Sequence, residues 1–179
     1  YKALTNTNSK SVRISNLDFI EIGDNDGIFE SGEKIRIKTE FTNYLNPVAN
    51  LQAELSTENS NVEVTNNGGS IGGLNTLQTF ITNEDFFEIY IKRDAQKNVE
   101  VELLLTYTGA DYNDYEWITI SINPTYLIHT TENLSITFNS SGSIGFDDFP
   151  TNQKGEGLRY KDGPNILFEG ALMYGTSAN

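Results

Sequence analysis

The chain has 179 residues, with 12 Lys plus Arg against 25 Asp plus Glu, a formal net charge of −13 and one His. That balance excludes the Lys and Arg clusters by which proteins hold nucleic acid or an anionic membrane surface. The absence of Cys excludes disulfide frameworks, thiolate nucleophiles, Cys-based zinc sites and iron–sulfur clusters, leaving hard cations on oxygen ligands as the accessible metal chemistry.

No apolar run approaches the roughly 20 residues of a membrane helix. The opening at Tyr1 without a basic and then apolar leader, and the end at Ala178-Asn179, predict a piece of a longer protein, with residues 1–11 as a linker. Period-two alternation bounded by Asn, Gly, Asp and Pro then predicts an all-β protein.

A first strand is expected within residues 12–22. After an acidic loop, residues 34–41 form the cleanest strand: Ile35, Ile37, Thr39 and Phe41 share one face, and the opposite face is mostly charged. The same pattern places Ala49, Leu51, Ala53 and Leu55 on the inner face of a third strand. A short strand carries Val62 and Val64, followed by strands with Phe87, Ile89 and Ile91, with Val99, Val101, Leu103 and Leu105, and with Ile118, Ile120 and Ile122. Turn chemistry is read at Asn46-Pro47, at Asn66-Asn67-Gly68-Gly69 and at Gly109-Ala110-Asp111. About seven strands at this spacing predict an immunoglobulin-like antiparallel sandwich over residues 12–122.

Asn123-Pro124 breaks the last of these strands, because Pro cannot donate to a ladder. A second, smaller β module is expected over residues 123–179, with short strands at 126–128, 134–138, 157–160 and 166–168 and turns at Gly142, Gly145, Gly155, Gly163 and Gly170. At that length it would struggle to bury a core alone, so it is expected either to dock on the sandwich or, the favoured reading, to be incomplete and finished by further chain.

The strongest chemical signal is the loop Gly23-Asp24-Asn25-Asp26-Gly27-Ile28-Phe29-Glu30-Ser31-Gly32-Glu33. Laid on the calcium-loop pattern, Asp24 and Asp26 take the third and fifth places, Gly27 the sixth, the Ile28 carbonyl the seventh, Glu30 the ninth and Glu33 the twelfth. Ile22 at the first place offers no ligand, and Asp18 or Glu21 are the substitutes within reach. The alternative is a solvated acidic hairpin in which Asp and Gly only make the turn. Calcium is the predicted cofactor, in a structural role, since the carboxylates repel one another unless a cation neutralises them.

Asp24-x-Asp26-Gly27-x-x-Glu30-x-Gly32-Glu33, the strand after it and Asn43 resemble the opening of immunoglobulin-like modules downstream of catalytic domains in secreted bacterial peptidases, especially subtilisin-like ones. Ser141-Gly142-Ser143-Ile144-Gly145-Phe146, Gly155-Glu156-Gly157-Leu158-Arg159-Tyr160 and Asn165-Ile166-Leu167-Phe168-Glu169-Gly170 resemble the β module that often follows. The resemblance implies a non-catalytic accessory region of a secreted or surface-displayed hydrolase, its partners being other domains of the same polypeptide.

Three further patterns bear on function. Gly175-Thr176-Ser177 resembles a subtilisin-like nucleophile motif, but a Ser nucleophile needs a base, and the single His129 sits in an apolar strand context where a half-buried structural residue is expected. Asp147-Asp148 between Phe146 and Phe149 could serve as a glycosidase acid or a second cation site, but reads first as a loop with packed aromatics, since neighbours in extended chain point to opposite sides. Tyr112, Tyr115 and Trp117, near Tyr107, are candidate ligand-binding rings for surface polysaccharide or protein, or else cover the end of the sandwich. No catalytic residue, nucleic-acid partner or membrane span is expected.

Overall fold

The computed structural model describes residues 8–140, 142–145, 155–167 and 169–171. Among these, residues 8–96 with 100–122 form one compact unit, and residues 97–99 with 123–171 a second.

The first unit contains β1 (Val12–Ile22), β2 (Lys34–Asn43), β3 (Val48–Ser56), β4 (Val62–Leu74), β5 (Thr79–Ile81), β6 (Phe87–Ile91), β7 (Val99–Gly109, all but its first residue) and β8 (Tyr112–Ile122). Hydrogen bonding orders them β1-β2-β6-β4-β3-β7-β8, with β5 added to β2. Strand β4 belongs to both layers: its first half pairs with β6 as far as Asn67, and its second half pairs with β3 from Gly68 onward. The layers are therefore β1-β2-β6-β4 and β3-β7-β8. In chain order these are the ABED and CFG sheets of an immunoglobulin-like sandwich.

Alternation supplies the core. Ile35, Ile37, Thr39 and Phe41 of β2, Phe87, Ile89 and Ile91 of β6, and Val101, Leu103, Leu105 and Tyr107 of β7 are all buried. Phe41 bridges the layers, its ring meeting Phe87 edge-on at 6.4 Å and Tyr107 at 5.7 Å. The Tyr107 hydroxyl donates to Glu116, whose carboxylate also accepts the Ile14 amide at 3.0 Å. These bonds tie β1 to the second sheet.

Several local expectations are corrected. Asn66-Asn67-Gly68-Gly69 is not a turn but the interior of β4, at the switch between sheets. Gly68 has φ +100, and a Cβ there would lie 2.3 Å from the Phe87 ring and 2.5 Å from the Ala53 carbonyl. The glycine is needed for close passage between layers, a role that composition does not distinguish from a turn. Ala49 faces solvent, because left-handed Asn50 (φ 54) makes a bulge that turns Val48 inward instead.

The second unit holds β9 (Tyr126–Thr130), β10 (Leu134–Asn139), β11 (Ser143–Gly145), β12 (Leu158–Tyr160) and β13 (Glu169–Ala171). Strand β10 is central: β9 pairs with it along one edge, and β12 and β11 pair with opposite ends of it. Strand β11 in turn pairs with β13. Gly145 and Gly170 lie inside strands rather than at turns, and Ile166 and Leu167 are outside any strand. Gly170 sits opposite Ile144 in the β11–β13 ladder.

Candidate functional site

The connection from β1 to β2 is organised by carboxylates. The β1–β2 register shifts between Ile14 and Asn16. Beyond that bulge Leu17, Phe19 and Glu21 follow the inward parity, so that Glu21 is 7% exposed while Ile22 is out in solvent. Glu21 Oε1 accepts the Asn25 amide at 2.6 Å, and Oε2 accepts that of Gly27 at 2.9 Å. Left-handed Asn25 (φ 62) and Gly27 (φ 83) fold the loop back over Glu21.

Glu33 closes the loop from its other end. Its Oε2 accepts the Glu30 amide at 2.8 Å and its Oε1 the Asp24 amide at 3.4 Å, while its backbone carbonyl accepts the Ile91 amide at 2.9 Å. Phe29 packs on Phe19 at 5.8 Å beneath the loop. A Cβ at Gly23 would fall 2.0 Å from Glu33 Oε1 and 2.9 Å from Glu21 Oε1, so the two carboxylates converge on bare backbone.

The result is a cluster in which one carboxylate oxygen each from Glu21, Asp24 and Glu33 lie within 4.8 Å of one another. Oxygens on a calcium shell of about 2.3–2.6 Å radius are at most about 5 Å apart, so the spacing fits that ion. Of the expected ligands, Asp24 and Glu33 enter the cluster. Asp26 accepts the Ile28 amide at 2.7 Å in a local turn, and neither Asp26 nor Glu30 belongs to the trio. The third member of the cluster is Glu21, one of the two residues expected to substitute where Ile22 offers no ligand. Its signal in the sequence is the alternation Leu17-x-Phe19-x-Glu21, which sets a carboxylate on an apolar face.

Two electrostatic consequences follow. The Gly27 amide, with those of Asn25 and Asp26 and against the cost of burial, holds the Glu21 carboxyl below its usual range. Burial, and then the charges of Asp26, Glu33, Asp24 and Glu21, push Glu30 above its own. The loop thus carries negative charge that its own donors leave partly uncompensated.

The aromatic candidates divide by strand parity. Tyr112 points inward and is 6% exposed, its hydroxyl accepting the Val12 amide at 2.8 Å and lying 3.2 Å from Asp114, so it is not a surface ring. Tyr115 and Trp117 point outward, 59% and 57% exposed. His129 lies on β9 as expected but is exposed rather than half-buried, its position alternating with inward-turned Ile128. Ser141, Phe146, Asp147, Asp148, Phe149, Phe168, Gly175, Thr176 and Ser177 lie outside the described residues. No helix among the described residues is long and apolar enough to cross a membrane.

Neither a protein-family model nor a curated protein matches the chain. Among solved structures it is similar to native alpha-2-macroglobulin from Escherichia coli, spanning domain MG7 to the C-terminus, with 13% identity and a TM-score of 0.48. The match covers 70% of this chain and 18% of that one, and a likeness at this level bears on neither activity nor partners. The strand order and burial of the chain itself establish an all-β, immunoglobulin-like sandwich followed by a smaller β unit.

Proposed function

We propose that this chain is a non-catalytic accessory module of a larger secreted or surface-displayed hydrolase, its sandwich stiffened by calcium held between β1 and β2. The observation that carries the reading is the convergence of Glu21, Asp24 and Glu33, with Glu21 nearly buried and the loop amides wrapped around it. A bound dication would neutralise the repulsion felt at Glu30 and fasten the loop to β6 through Glu33. The resemblance of the acidic loop favours a subtilisin-like peptidase as the parent, with the catalytic domain elsewhere in the polypeptide. Exposed Leu127, Leu134 and Phe138 in the second unit support its being completed by further protein.

Thermal unfolding with calcium and with chelator tests the metal. Calcium should raise Tm in a saturable way, by mass action on the folded state, and the Asp24→Asn, Glu33→Gln double variant should lose the rise. An identical Tm in both conditions would leave the loop a solvated turn. Peptide hydrolysis by the purified chain would overturn the accessory role.

A further inference from the structure

The outward side of the second sheet carries a surface that the accessory reading leaves unused. Leu104 and Trp117 line two adjoining clefts there: one is walled by Glu58, Glu100 and Glu102, the other by Asn113 and Tyr115. Two hydroxyls fasten the backbone that carries this wall. Thr57 Oγ1 donates to the Glu102 carbonyl at 2.7 Å, and Ser56 Oγ donates to that of Leu104 at 3.4 Å, laying the end of β3 and the turn after it along β7 with Glu58 beside the other two.

We propose that this face binds an extended cationic peptide segment with Lys or Arg at alternate positions, its charges on Glu58, Glu100 and Glu102 and one cation over the Trp117 ring. Charge complementarity selects the occupant. Ion pairs among the described residues join Arg13 to Asp114 and both Lys34 and Arg36 to Glu88, so none engages the three groove carboxylates. An indole with more than half its surface free is the preferred aromatic partner of an ammonium or guanidinium group. Glu100 and Glu102 are successive outward positions of β7, roughly 6.8 Å apart, which is the repeat of same-face side chains in an extended peptide. The net charge of −13 steers such a segment inward from a distance. A neutral sugar would use the rings and leave the carboxylates uncompensated. The site does not depend on calcium at the β1–β2 loop.

Trp117 is the only Trp in the chain, so its fluorescence reports this site alone. The whole chain is titrated at low salt with a synthetic eight-residue peptide of alternating Arg and Thr, in chelator and again in calcium. The expected result is a saturable emission change that weakens with salt and is the same in both conditions. Glu100→Gln with Glu102→Gln should weaken binding by roughly five- to tenfold. Asp18→Asn with Glu84→Gln, which removes equal charge from other surfaces, should change it by less than about twofold. Circular dichroism and Tm confirm that both variants fold. Equal loss in both double variants would show unspecific attraction to an acidic protein and overturn the proposal. So would an absent emission change, or a salt-insensitive response to a neutral oligosaccharide in place of the peptide.

Discussion

The two units of this protein use the same strand pairing and differ in what they bury. In the first, the interior is filled by Ile, Leu, Val and Phe from both sheets. In the second, the buried described side chains are Thr125, Thr137 and Asn139, while Leu127, Leu134 and Phe138 are exposed and no described apolar side chain is fully buried. Among the described residues, then, full apolar burial marks the first unit, whereas in the second Ile128, Ile136, Ile144 and Leu158 are only half-buried beside their strand ladders.

Core truncation should expose this contrast most strongly. Leu103→Ala, at a position with no exposure, should cost about 2–5 kcal/mol in urea unfolding, whereas Phe138→Ala in the second unit should cost less than about 1 kcal/mol. Similar losses at the two sites would mean that both units rest on apolar packing. A somewhat smaller effect is expected at Asn43, buried where the β2 and β4 ends meet. Its side-chain amide donates to the Asn46 and Leu74 carbonyls and its oxygen accepts the Leu45 amide, so Asn43→Ala should cost roughly 2–3 kcal/mol by orphaning backbone groups.

Surface charge should matter less, and in a pH-dependent way. Hydrogen bonding from Lys34, then Thr65 and Arg36, holds the Glu88 carboxyl below its usual 4.5. A carboxylate depressed in the folded state adds stability that is present above its unfolded pKa and lost as pH falls through its folded one. Glu88→Gln should thus cost up to about 1 kcal/mol at pH 7, where both cations are substantially solvated, and nothing in strong acid. Glu30 has the opposite sign, being raised in the fold by burial and by Asp26 and its neighbours. In chelator, Glu30→Gln should give a small rise in Tm at pH 7 that vanishes below pH 4, where the folded and unfolded forms both carry the proton. A fall in Tm at pH 7 would mean that the Glu30 charge is already compensated.

Much of the first unit was legible from alternation, because inner-face residues of a two-layer sandwich must repeat every second position. Ile35, Ile37 and Phe41 show this, as do Phe87, Ile89 and Ile91. The structure departs from simple alternation where parity breaks. Ala49 faces solvent because left-handed Asn50 makes a bulge that strict alternation does not anticipate, and the Asn-Gly run of β4 has the composition of a turn yet lies in a strand. At the acidic loop the spacing points to Asp24, Asp26, the Ile28 carbonyl, Glu30 and Glu33, with Asp18 or Glu21 as substitutes. Asp24, Glu33 and Glu21 are the three that converge, and choosing between Asp18 and Glu21 took the strand parity beyond the β1 bulge.

By itself the sequence determined the all-β class, most inner faces and the presence of an acidic loop, since these follow from local periodicity and residue chemistry. Only tertiary structure decided which carboxylates meet, that β4 serves both sheets, and that Tyr112 is buried while Tyr115 and Trp117 are not covered. Those outcomes depend on bulges and on contacts between residues far apart in the chain, whose positions are set by packing the two sheets together.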